Sequence, residues 1–145
     1  MRALVSESRI TVRYAETDQM GIAHHSVYPV WYEVARTDFI RRLGMTYSEM
    51  ERRGVMLPLS ALSCRYRGVA KYEDELCVQV KISLFSVSRI QFSYAIYRAG
   101  EQSPINTGTT LHGWVDRETF RPLNLKKKHP EIYDLVQSSL GDEAL

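Results

Sequence analysis

The sequence predicts an α+β domain built from one long helix and a curved antiparallel sheet of about five strands. Three observations carry this. From about Ser26 to Gly44, apolar residues recur at steps of three and four, which is the helical period. After that come four strand-like stretches, three of which alternate apolar and polar residues with the period of a half-buried strand. The links between them (Lys71 to Glu75, Phe85 to Ser88, Ala99 to Asn106) are short and polar, which favours antiparallel neighbours.

Taken in order, Arg9 to Tyr14 opens as a strand, with Ile10, Val12 and Tyr14 on one side. A loop around Asp18 follows. The helix carries Tyr28, Trp31, Tyr32, Ala35, Phe39 and Leu43 on one face, with Ser26 as its expected N-cap and Pro29 in the first turn. Gly44 is placed to end it. Val30 and Val34 lie off the main stripe, so the helix is apolar on more than one side and suits being wrapped by a sheet. Met45 to Gly54 reads as a shorter helix carrying Tyr47 and Met50, with a break at Arg53-Gly54. The strands then contain Leu57, Leu59 and Leu62; Leu76, Val78, Val80, Ile82 and Leu84; Ile90, Phe92, Tyr94 and Ile96; and Thr109, Leu111, Gly113 and Val115. Pro130 to Leu140 reads as a terminal helix.

A chain of 145 residues suits a single domain spanning 1–145. The hydrophobic fraction of 44% and charged fraction of 25% are those of a soluble globular protein. A formal charge of +2 gives no support for nucleic-acid binding. Cys64 and Cys77 both fall in strand-like stretches, where cysteine behaves as a small hydrophobe, and no Cys/His spacing suggests a metal. The first residues are too short and polar for a signal peptide, and no apolar run reaches membrane-spanning length. The expected location is the cytoplasm, with no membrane partner.

The stretch Tyr14-Ala15-Glu16-Thr17-Asp18-Gln19-Met20-Gly21-Ile22-Ala23-His24-His25-Ser26-Val27-Tyr28 carries the chemistry. It sets one acid on a Gly-containing loop just ahead of the long helix. A helix start offers unpaired N–H groups and a partial positive charge, suited to an oxygen that becomes negative during reaction.

This loop and helix, with the strands that follow, resemble the 4-hydroxybenzoyl-CoA thioesterase family of the hotdog fold, including its acyl-CoA thioesterase branch. The matching residues are Tyr14, Thr17-Asp18, Gly21, His25, Tyr28 and Tyr32-Glu33-x-Ala35-Arg36. Tyr66 through Asp74 and Leu76 resemble the family's Y-x-x-x-A-x-x-D-D-x-L-x-V segment. Thr109 to Pro122, with Val115-Asp116 and Arg121-Pro122, resembles its last strand and exit turn. The resemblance covers roughly residues 8 to 125.

The resemblance implies a thioester hydrolase acting on acyl-CoA, with Asp18 as nucleophile or general base. It implies that the backbone N–H of His25 polarises the carbonyl, and that Tyr14, Gly21 and Tyr28 line the substrate site. It implies an obligate homodimer, often paired into a homotetramer, with acyl pockets between subunits and no metal or bound cofactor. His24 and Pro29 depart from the family's usual residues, which bears on acyl specificity more than on chemistry.

Plainer readings stand beside these. Asp18 is also a common turn residue. His25 and His24 could be capping or packing residues. Glu33 and Arg36 are spaced for a structural ion pair, with Glu33 and Asp38 as reserve candidates for the catalytic acid. Arg65, Arg67, Arg89 and Lys126 to Lys128 could meet the phosphates of coenzyme A, although charge runs are usually solvated surface. The competing functions are hydrolysis of acyl carrier protein thioesters, non-catalytic binding of an acyl thioester and, less well matched, a hydratase.

Overall fold

The computed structural model describes residues 2–141. Its main sheet has five antiparallel strands in the order β1-β4-β5-β6-β3: β1 (Ser6–Thr11), β4 (Glu75–Phe85), β5 (Arg89–Arg98), β6 (Asn106–Gly113) and β3 (Leu59–Tyr66). The long helix α1 (Tyr28–Arg42) lies against the sheet, chiefly over β1 and β4. Among the described residues no helix is long and apolar enough to cross a membrane.

The buried face of α1 is the one that its spacing predicts. Tyr28, Trp31, Tyr32, Ala35 and Phe39 are buried and meet Val78 and Val80 from β4 and Ile90, Phe92, Tyr94 and Ile96 from β5. Tyr32 stacks on Tyr94 with ring centres 4.2 Å apart, and Phe39 meets Phe92 edge to face. Pro29 stands in the first turn, Arg41 and Arg42 sit in the last, where cations suit the helix C-terminus, and Gly44 (φ +101°) turns the chain out.

Three features differ from expectation. Strand β1 starts and ends earlier than Arg9 to Tyr14. Its inward residues include Ser6 and Ser8, two polar side chains that period reading passes over. They are satisfied across the core: Ser8 Oγ donates to Asp38 at 2.6 Å, and Arg42 donates to Ser6. Second, Ser26 does not cap α1. A 3-10 turn (His25–Val27) precedes the helix, and His24 caps that turn. Third, a second small sheet pairs β2 (Val55–Met56) with β7 (Val115–Asp116), two elements too short to leave a periodic signal.

The short helix α2 (Tyr47–Arg52) is capped by Thr46, whose hydroxyl accepts from Glu49 N–H. The C-terminal helices α3 (Leu125–Lys128) and α4 (Pro130–Ser139) close the far end, with Leu125, Ile132 and Val136 in the core. Gly108 on β6 is required by close approach. A Cβ there would collide with the Ser63 carbonyl oxygen and the Tyr32 ring.

Candidate active site

The chain leaves β1 through Val12, which is buried and hydrogen-bonded to Asp74 O, and enters a one-turn 3-10 helix, Tyr14–Glu16. Glu16 is the anchor. Its buried carboxylate accepts from Arg13 N–H at 2.8 Å, from the Arg13 guanidinium at 3.3 Å and from Trp31 Nε1–H at 3.0 Å. Burial alone would raise its pKa; the hydrogen bonds from Arg13 and Trp31 outweigh this and hold the carboxyl below its ordinary value. The loop is thereby tied to the inner face of α1.

From there a small hairpin forms. Asp18 N–H donates to Ile22 O at 2.9 Å, Thr17 pairs with Ala23, and His24 N–H donates to Glu16 O at 2.8 Å. Gly21 takes a left-handed conformation at φ +79°, with open space where a side chain would stand, so the backbone rather than crowding selects glycine. Ala23 N–H donates to Ala70 O, which docks the hairpin on the segment after β3.

Asp18 stands at the tip. One carboxylate oxygen, Oδ1, accepts from Met20 N–H at 2.8 Å, which is the turn-forming role. Among the described residues the other oxygen meets no donor. Tyr14, Ala15, Thr17, Asp18, Gln19, Gly21 and Tyr72 together line one open concavity. Tyr14 is not on a strand, as its spacing suggested. It is 77% exposed and rests edge to face on Tyr72, 5.6 Å between ring centres.

The structure therefore gathers Tyr14, Asp18 and Gly21 around one depression. His25 and Tyr28 do not line it. Tyr28 is buried, packed edge to face against Trp31 and Tyr66, and burial pushes its hydroxyl pKa up. His25 is exposed on the turn that leads into α1, where its N–H donates to no acceptor among the described residues. Its carbonyl accepts from Tyr66 Oη at 2.7 Å.

Other candidates sort themselves by place. Glu33 is exposed and makes no ion pair with Arg36 among the described residues; Arg36 donates to Tyr94 Oη at 3.0 Å instead. Asp38 is engaged by Ser8 and Arg41. Arg65 and Arg67 flank Tyr66, at the sheet end that carries the Asp18 hairpin. Arg89 and Lys126 to Lys128 lie at the other end of β4, whose 11 residues separate the two ends by about 35 Å. Cys64 and Cys77 are free thiols on strands, and Cys64 Sγ accepts from Asn106 Nδ2 at 3.3 Å. Sequence reading missed the anchoring role of Glu16, whose one signal is its capping-box spacing from Arg13. The resemblance marked Tyr66 only as the first residue of the Y-x-x-x-A-x-x-D-D-x-L-x-V segment; nothing in the sequence set it against His25, because it comes from a distant strand.

Known proteins resemble the chain closely. The profile of the thioesterase-like superfamily matches residues 12–139. A Bacillus subtilis protein named "Putative acyl-CoA thioesterase YneP" is 39% identical over 135 residues, covering 93% of this chain and 97% of that one. The acyl-acyl carrier protein thioesterase ATL3 of Arabidopsis thaliana is 29% identical over 119 residues, covering 82% of this chain and 62% of that longer protein. A solved structure of a DHNA-CoA thioesterase from Staphylococcus aureus superposes with a TM-score of 0.87 at 31% identity, covering 92% of this chain and 89% of that one. With a long helix held against a five-stranded antiparallel sheet and a profile match over most of its length, this chain belongs to the hotdog-fold thioesterase-like superfamily.

Proposed function

We propose that the protein hydrolyses acyl-CoA thioesters, with Asp18 as the reacting carboxylate and the His25 N–H as the donor to the carbonyl oxygen. The observation that carries this reading is that two unspent groups stand close together in the chain, one on the Asp18 hairpin and one on the turn that follows it. Asp18 lines an open concavity with one oxygen fixed and, among the described residues, the other without a donor. The same hairpin runs into a turn whose His25 N–H has no acceptor among the described residues. The relatives named as acyl-CoA thioesterases support the reaction class.

In this mechanism the thioester carbonyl oxygen accepts from the His25 N–H and becomes negative as the carbon is attacked. The attacking atom is either the free Asp18 oxygen, giving a mixed anhydride that water then cleaves, or a water whose proton Asp18 takes. In both routes the C–S bond breaks, the sulfur leaves as thiolate and is protonated, and water supplies the hydroxyl of the free acid. A single donor to the developing oxyanion is worth about 3–4 kcal/mol of barrier. General-base assistance adds about 10²- to 10⁴-fold.

Arg65 and Arg67, beside Tyr66, are the cations best placed for the coenzyme A phosphates. Strand β3 is an edge strand with Leu59 and Leu62 exposed, a surface suited to pairing with a second copy. We therefore include a homodimer, and its pairing into a homotetramer, in the proposal. Tyr14, Gly21 and Tyr28 are taken as substrate-side residues, Tyr28 through its packing beneath the turn.

The likeness to ATL3 favours acyl carrier protein thioesters as a second reading. A panel of acyl-CoAs and the matching acyl carrier protein thioesters, followed by release of free thiol, tests both. Turnover of one or more CoA esters supports the first reading. Turnover of carrier-protein esters alone moves the assignment to the second, and turnover of neither sinks the hydrolase reading.

A further inference from the structure

We infer that His24 and Tyr66 are positioning residues that together clamp the peptide unit after His25 and so aim the His25 N–H; this rests on the hydrolase reading above. The peptide in question joins His25 C=O to Ser26 N–H. At one end, Tyr66 Oη donates to His25 O at 2.7 Å. At the other, Ser26 N–H donates to His24 Nδ1 at 3.2 Å, and Ser26 Oγ lies 2.8 Å from the same ring nitrogen.

A backbone N–H can only donate, so His24 Nδ1 carries no proton and the ring proton sits on Nε2. The imidazole is held in that orientation by the His25 ring, which lies against it with centres 4.1 Å apart. The Tyr66 phenol is held by Tyr28, edge to face at 5.2 Å. Tyr66 is the last residue of β3, so the edge of the sheet reaches over to pin the entrance of α1.

The turn's donors can then be accounted for one by one. His24 N–H goes to Glu16 O, Ser26 N–H to His24 Nδ1 and Val27 N–H to His24 O at 3.0 Å. Of these four, the His25 N–H is the one left over among the described residues. A clamp at both ends of the next peptide resists rotation about the His25 backbone, which is the motion that would swing this N–H away from a carbonyl oxygen. An oxyanion donor acts through being fixed before the reaction, so a small loss of aim costs rate and not affinity.

The test uses the full chain and the acyl thioester that the wild type cleaves best. His24→Ala and Tyr66→Phe should each lower kcat roughly 10-fold with KM within about twofold of wild type, since the donor is used mainly in the transition state. His24→Asn, whose amide oxygen can accept the same N–H, should recover most of the loss. The double variant should fall well short of the roughly 100-fold product, because both changes release one peptide.

Unchanged kcat in both single variants would overturn the inference. So would losses carried by KM, a His24→Asn as poor as His24→Ala, a fully multiplicative double variant, or losses that follow a collapse of the melting temperature. A wild type that cleaves no thioester fails the hydrolase reading itself, before any variant is compared.

Discussion

The Asp18 hairpin and the polar core beneath α1 are both hydrogen-bond networks, and they differ in what is left unspent. In the core the bonds run one way. Arg36 donates to Tyr94 Oη at 3.0 Å, Tyr94 to Thr110 Oγ1 at 2.5 Å, Thr110 to His112 Nε2 at 2.9 Å, and His112 Nδ1–H to Leu57 O at 3.0 Å. The direction follows from the two ends: a guanidinium can only donate and a carbonyl can only accept. Every link is consumed by its neighbour. In the hairpin, Glu16 is equally consumed, yet Asp18 keeps a free oxygen and His25 a free N–H among the described residues. The core network spends its polarity on holding the fold, while the hairpin and the turn after it leave two groups open, which we propose meet the substrate.

Breaking the core should therefore cost stability and leave chemistry in the folded protein intact. Thr110→Val removes the hydroxyl between Tyr94 and His112 and leaves both with an unmet partner. It should destabilise by about 3 kcal/mol in denaturant unfolding, with kcat of the folded protein near wild type. A large kcat loss at unchanged stability would place this network in the site instead.

Acid should act on the core in the same sense. His112 is buried, and burial is the main reason its pKa falls from 6.5 to about 4; the Leu57 carbonyl opposes this and the Arg36 charge adds to it. With the folded pKa below the unfolded one, the unfolded chain binds more protons between these values. Stability is therefore full above about pH 6.5 and is lost as pH falls toward 4, by at most roughly 3 kcal/mol. Glu16, with its depressed pKa, adds a loss at still lower pH. Unfolding measured across this range should show the slope, and His112→Gln should flatten it; an unchanged slope would remove His112 as its source.

The smallest expected effect falls on the one loose end of the core. The Tyr47 hydroxyl is buried without a hydrogen-bond partner among the described residues, although the Arg36 guanidinium is its neighbour. Tyr47→Phe should be neutral or stabilising by up to about 1 kcal/mol. A loss above that would mean the hydroxyl is bonded to Arg36 after all.

The same contrast explains what could be read from the residues alone. Helix α1 and strands β4 and β5 carry large apolar side chains on an unbroken period, so their existence and inward faces were legible. The start of β1 was not, because Ser6 and Ser8 face inward as polar residues whose partners, Arg42 and Asp38, lie more than 25 positions away. In the site, Asp18, Tyr14 and Gly21 are close in sequence and meet in one concavity. The supports come from elsewhere: Trp31 to Glu16 across 15 positions, and Tyr66 to His25 across 41. Nor could sequence sort the basic residues, since which end of a sheet a cluster occupies depends on strand order.

The most direct test of the account is the rate of acyl-CoA hydrolysis by Asp18→Asn, measured beside its unfolding free energy. Asparagine keeps an oxygen for Met20 N–H, so the turn should survive and stability should stay within about 0.5 kcal/mol of wild type. Activity should fall by at least about 100-fold, because an amide can neither attack the carbonyl nor take a proton from water. An Asp18→Asn protein that folds and hydrolyses acyl-CoA at the wild-type rate would contradict the assignment and send the search for the acid to Glu33 and Asp38 on α1.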